Sequence, residues 1–153
     1  MNDKHLNPEF VEWLSGDQLE EKQHEAMQLL TVAEDGWPHQ AMISVGEIIA
    51  MDPDTLRLAL WPGTQTSMNM NRTGKATLIA VHEHKLLYVR LEIRALPPLK
   101  EAIHPRDRYE AQVADVRVDH APYAEITTGI TFQLKDKAAS ISRWKETIAE
   151  LRQ

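Results

Sequence analysis

Between Thr55 and Val81 the chain reads TLRLALWPGTQTSMNMNRTGKATLIAV, and the order strand, turn, helix, strand within it is the tightest constraint on the fold. Leu56, Leu58 and Leu60 alternate with Arg57 and Ala59, the period of a half-buried strand over Thr55–Trp61. Pro62-Gly63 stops the strand. Thr64-Gln65-Thr66-Ser67 then caps a short helix that carries Met68 and Met70 and ends near Gly74. Ala76–Val81 is the second strand. Such a turn presents backbone N–H groups, hydroxyl donors and the positive end of a helix, which together make a cradle for a phosphate. The same residues serve equally as an ordinary capped crossover helix.

Other strands surround this unit. Met27–Glu34 and His39–Val45 flank the turn Glu34-Asp35-Gly36, the signature of a hairpin. Glu47–Asp52 pairs back onto Thr55–Trp61 through Pro53-Asp54. Leu86–Leu96 is a long alternating strand, with Leu87, Val89, Leu91 and Ile93 on one face and Tyr88, Arg90, Glu92 and Arg94 on the other. Tyr109–Val118 and Ile126–Leu134, the latter with a glycine kink, complete the set. At the N-terminus Asn7-Pro8 starts a helix bearing Phe10, Trp13 and Leu14, and Asp17 caps a second. Asp136 caps a closing helix whose Ile141, Trp144, Ile148 and Leu151 form one stripe. Strands joined by short turns, with one inserted helix, favour an antiparallel barrel over a parallel sheet.

Two segments resemble the pyridoxamine-phosphate-oxidase-like flavin-binding split barrels. In LLTVAEDGWPHQAMIS an apolar strand, an acidic-Gly turn, a bulky residue, Pro and a strand follow one another as in that family's opening hairpin. In the central unit Thr64 falls where the family has its phosphate-binding Ser or Thr, and Asn69-Met70 where it has an Asn-aliphatic pair. The resemblance implies a mainly β fold: a six-stranded antiparallel split β-barrel of Greek-key type with N- and C-terminal helices. It divides the single domain into N-terminal helices (1–26), an FMN-binding barrel (27–134) and a C-terminal helix (135–153). It further implies a homodimer with flavin mononucleotide (FMN) sites across the subunit interface. By that correspondence Ala41, Met42, Ile43 and Ser44 face the flavin ring. Thr64, Gln65, Thr66 and Ser67 serve the phosphate end and Asn69 belongs to the cofactor site. Tyr88 and Arg90 reach toward the ring or stand in a cross-strand Arg–Glu pair on the wet face, and Trp61 stacks beside the flavin or a neighbouring subunit or plugs the barrel end. The departure is at Gln65 and Thr66, where the family places Arg and Lys. Charge-assisted bonds are roughly twice as strong as neutral ones, so the phosphate here is held by weaker donors.

The implied activity is that of an FMN-dependent oxidoreductase acting on a small organic substrate. The other reading is a non-catalytic dimeric binding module for weakly held flavin, haem or a deazaflavin. Pyridoxine-phosphate oxidase activity itself is not expected, because the C-terminus, SISRWKETIAELRQ, lacks that branch's basic-His motif. The absence of cysteine excludes thiolate chemistry. A net charge of −6 without a basic cluster argues against nucleic acid. No apolar run long enough to span a membrane and no signal peptide in MNDKHLNPEF lead to a cytoplasmic expectation. His82-x-His84 is the one metal-like spacing, but it falls at a turn with no third ligand, so no metal is expected.

Overall fold

The computed structural model describes residues 3–153; the first two residues of the N-terminal region expected over 1–26 lie outside it. Helices α1 (Pro8–Trp13) and α2 (Leu19–Lys22) precede strands β1 (Glu25–Val32), β2 (Pro38–Ile43), β3 (Ile48–Asp52) and β4 (Thr55–Leu60). Helix α3 (Gln65–Thr73) leads into β5 (Lys75–His82), β6 (Lys85–Ala95), β7 (Asp107–Asp119), the short β8 (Ile130–Thr131) and helix α4 (Lys137–Leu151). All strand pairs are antiparallel, in the order β2-β1-β5-β6-β7-β4-β3, with β8 added to β1. The sheet curls into a split barrel whose two ends, β2 and β3, are neighbours in sequence. Seven strands lie on the main path and β8 is an eighth, where six were expected.

The apolar alternation is realised. Leu56, Leu58 and Leu60 of β4 and Leu87, Val89 and Leu91 of β6 are all buried in one core with Phe10, Leu14, Ile141, Ile148 and Leu151. Arg90, Glu92 and Arg94 stand on the wet face, where Arg94 pairs with Glu110 at 2.6 Å.

Three expectations are corrected. Asp17 does not cap α2: that position is Gln18, in the left-handed region at φ 55° and without a side-chain cap bond. The second strand stops at Ile43, because Ser44–Glu47 form the corner between β2 and β3. The last strand shrinks from Ile126–Leu134 to two residues. β1 offers it only Glu25 and Ala26, the residues that precede its pairings with β2 and β5.

The caps of α3 are as the sequence indicates. The Thr64 hydroxyl oxygen accepts from the Ser67 N–H at 3.2 Å, and Gly74, at φ 68°, ends the helix in the conformation that glycine adopts without strain. The β5–β6 hairpin turns through Glu83 and His84, both at positive φ, as a two-residue loop matched to strand twist requires. Its two histidines serve different contacts. The His82 ring stands 5.7 Å from Phe10 and 5.4 Å from Trp13, while His84 Nδ1 lies 3.0 Å from the Ile126 carbonyl.

Candidate functional site

The start of α3, strand β2 and the end of β4 enclose a cavity of about 340 Å³, lined by His39, Ala41, Met42, Ile43, Glu47, Leu60, Trp61, Thr64, Gln65 and Thr66. Small-molecule sites begin at about this size. Of the residues singled out from the sequence, Ala41, Met42, Ile43, Trp61, Thr64, Gln65 and Thr66 therefore meet in one place. They come from segments about twenty residues apart because β4 returns the chain to α3 beside the edge strand β2.

The other candidates sit elsewhere. Ser44 is buried at the corner, where its hydroxyl donates to Glu47 Oε1 at 2.9 Å and accepts from the Gly46 N–H. Ser67 is buried within α3. Asn69 is fully buried: its amide donates to Thr31 Oγ1 at 3.0 Å, and its carbonyl oxygen accepts from Gln65 Nε2 at 2.7 Å and from Arg72 at 3.3 Å. Its side chain ties α3 to β1. Tyr88 and Arg90 lie on the outer face of β6, where the Arg117 guanidinium covers the Tyr88 ring at 4.2 Å. Arg90 borders a separate cleft of about 470 Å³ with Leu30, Val32 and Lys75, which shares no residue with the first.

The donors of the turn are fewer than the sequence suggests. The Gly63 N–H donates to Asp107 Oδ2 at 3.0 Å, and the Ser67 N–H is taken by Thr64. The N–H groups of Gln65 and Thr66, at the first two helical positions, have no acceptor within the helix. The Gln65 side chain folds back along α3 to Asn69. At the opposite wall β2 is an edge strand paired only with β1, so its outward N–H and C=O groups are free to bond a planar polar ligand.

Two charged residues that the sequence did not mark belong to the cavity's surroundings. Glu47 lines it, with Oε1 held by the N–H and hydroxyl of Ser44 at 3.0 and 2.9 Å. Burial pushes its carboxyl above the usual carboxylate range; the Ser44 bonds and the nearby Arg106 and Arg143 charges pull the other way. Arg106 stacks on Trp61, with Cζ 4.0 Å from the ring centroid. Glu47 is an isolated acid between apolar strand residues in SVGEII, the one local hint of its position.

Because folding raises the Glu47 pKa, the folded chain binds that proton more tightly than the unfolded chain. Its contribution to stability is complete below the ordinary value of 4.5 and is lost as pH rises through the folded value. Glu47→Gln keeps an acceptor for Ser44 without the charge. Denaturation midpoints of parent and variant from about pH 4 to pH 8 should diverge with rising pH, the variant becoming relatively more stable. Parallel curves would contradict the buried-carboxyl account.

Solved structures share this architecture. A protein provisionally assigned as a pyridoxamine 5'-phosphate oxidase from Lactobacillus delbrueckii superposes with a TM-score of 0.60 at 19% identity, over 76% of this chain and 97% of that one. HupZ of Group A Streptococcus gives 0.58 at 12%, over 81% and 99%. A provisionally assigned flavin reductase with a split-barrel domain from Shewanella frigidimarina gives 0.51 at 14%, over 75% and 80%. The fold is thus that of the pyridoxamine 5'-phosphate oxidase-like split barrels. No family model matches the sequence. The chain belongs to the family of the uncharacterized protein YclD of Bacillus subtilis strain 168, which is 48% identical over 147 residues, 96% of each chain.

Proposed function

We propose that the chain binds FMN in the cavity between β2 and the start of α3 and acts as a flavin-dependent oxidoreductase on a small organic substrate. The observation that carries this reading is the convergence of a capped helix start and a free strand edge on one cavity. The former suits a phosphate, and the latter suits the polar edge of a planar ring. Similar structures named for pyridoxamine-phosphate oxidation and flavin reduction support it at the level of the fold. When bound, the flavin supplies hydride or electron transfer, and the protein binds, orients and shields it. Ala41, Met42 and Ile43 would meet the ring along β2. The Gln65 and Thr66 N–H groups and the Thr64 hydroxyl would meet the phosphate.

The functional unit is a homodimer. The exposed apolar residues Val32, Trp37, Met42, Trp61 and Met68 lie on the β1–β2 hairpin, on α3 and at the cavity. Trp37 is 73% exposed and Trp61 58%, large apolar side chains that a partner subunit would cover. A partner subunit there would cover the cavity and is the route by which Tyr88 or Arg90 could approach a bound ring.

Fluorescence titration with FMN and riboflavin tests the reading. FMN is expected to bind more tightly, by about tenfold for each good charge-assisted bond to its phosphate. Gln65→Arg, restoring charge at the turn, should strengthen FMN by about 1.5 kcal/mol, again about tenfold, and leave riboflavin unchanged. Thr64→Val should weaken FMN and also lower stability by about 1 kcal/mol, because the hydroxyl caps α3. A parent protein that binds neither flavin overturns the reading and leaves a split-barrel module for another ligand.

A further inference from the structure

We propose that Arg106 and Arg143, brought from outside the phosphate turn to the flank of the cavity, supply the positive charge for its anionic ligand that Gln65 and Thr66 do not. The inference rests on the reading of the cavity as an FMN site and names the residues that hold the phosphate end there.

Arg106 is placed by two contacts. Its guanidinium lies on the face of Trp61, the residue just before the turn, and its neighbour Asp107 accepts the Gly63 N–H at 3.0 Å. The segment 106–107 is thereby fastened to 61–63, although more than forty residues separate them. Arg143 arrives on α4. That helix packs so closely on the β2–β3 corner that a Cβ on Gly46 would stand 2.0 Å from Trp144 Cγ. Trp144 therefore abuts Gly46, and Arg143, the residue before it, is near enough to act on the charge of Glu47, which opens onto the cavity.

The two arginines are not tied up in ion pairs. Arg57, Arg90, Arg94 and Arg152 each have a carboxylate within 4.0 Å. Among the described residues, Arg106 and Arg143 have none, as is also true of Arg72, Arg108 and Arg117, and the one hydrogen bond of Arg106 goes to the carbonyl of Pro105. Both are half-buried. The acids that face them are Glu47, whose carboxyl burial holds toward its neutral form, and Glu150, whose Oε1 is occupied by the Ile103 and His104 N–H groups. Asp107 opposes an anion directly but spends one oxygen on Gly63. His39, at the cavity's rim, is the remaining titratable group. Burial and the like charge of Arg143 hold the Arg106 guanidinium below its ordinary value, the strain that an incoming anion relieves. In a chain of net charge −6, two half-buried guanidinium groups with no carboxylate within 4.0 Å stand near the cavity as free donors for an anion.

The test uses Arg106→Gln, Arg143→Gln and the double variant, titrated with FMN and with riboflavin at several salt concentrations. Thermal unfolding confirms that each variant is folded. FMN affinity should fall about tenfold or more in Arg106→Gln and further in the double variant. Riboflavin affinity should not change, and the salt dependence of FMN binding should flatten as charges are removed. Arg106→Lys, which keeps the charge but loses the planar stack, should fall between parent and Arg106→Gln. If the double variant binds FMN as the parent does, this inference fails while the flavin reading stands. If the parent binds no flavin, both fail. Loss of riboflavin and FMN in equal measure would assign the arginines to the shape of the cavity and overturn the charge argument.

Discussion

Alanine at Gly46 destabilises the protein by about 3–5 kcal/mol, the range for losing a large aromatic from a core. The added methyl would lie 2.0 Å from Trp144 Cγ and 2.4 Å from both Cδ1 and Cδ2. These are atoms at the attached base of a rigid bicyclic ring, so no rotation of a flexible end relieves the clash. Either Trp144, now 6% exposed, leaves the core, or the β2–β3 corner moves away from α4. The second route breaks the bonds that set the corner, the Gly46 N–H to Ser44 Oγ and the Glu47 N–H to the Ser44 carbonyl. For a chain of this length the loss corresponds to a fall in Tm of about 10–15 °C. Chemical denaturation gives the free energy directly, and a change below about 1 kcal/mol would mean that α4 does not seat on the corner as described. Because the corner carries Glu47 and α4 carries Arg143, the same substitution should also weaken any ligand bound in the cavity.

Which parts of this architecture could be read from sequence follows from the range of the interactions that determine them. The strands of alternating leucine and valine, the Thr64 cap and the Gly74 stop are local: each depends on residues within one turn or one strand, and the structure keeps them. The meeting of β2 with the start of α3 is not local, and it was legible only because an entire strand–helix–strand pattern resembled a known family. Where that pattern was applied residue by residue it says less. Thr66, Ser67 and Asn69 follow the turn in sequence, but helical geometry carries Ser67 and Asn69 inward, onto the core side of α3. Arg106 and Arg143 had no signal at all. Their neighbourhood is created by a stack on Trp61 and a close helix–corner contact, and neither leaves a periodicity or a spacing. The last strand failed for a different reason. Ile126–Leu134 has the composition of a strand, yet pairing needs a free partner edge, and only two residues of β1 provide one.

Asn69→Leu should cost about 2–4 kcal/mol of stability whether or not a flavin is present, and this separates the structural role of the residue from a cofactor role. Asn69 is wholly buried, and all three of its side-chain bonds are to the protein: out to Thr31 on β1, and along α3 to Gln65 and Arg72. Leucine keeps the branched four-atom skeleton and leaves no cavity, but its methyl groups are bulkier than the amide, so some overpacking adds to the cost. What is lost is the partner of the Thr31 hydroxyl, itself 3% exposed, and an unpartnered buried hydroxyl costs about 1–3 kcal/mol. Gln65 and Arg72 lie nearer the surface and can turn to water, so their loss adds less. The second substitution Thr31→Val removes the stranded hydroxyl and should restore about 1 kcal/mol or more, since replacing both members of a buried pair by apolar groups is far less costly than replacing one. Denaturation of the two single variants and the double variant, each without flavin, closes the cycle. A strongly non-additive result fixes Asn69 as the bolt between α3 and β1, the strand that carries the edge strand β2. If Asn69→Leu instead unfolds like the parent and only its FMN affinity falls, the amide faces the ligand and the inward assignment is wrong.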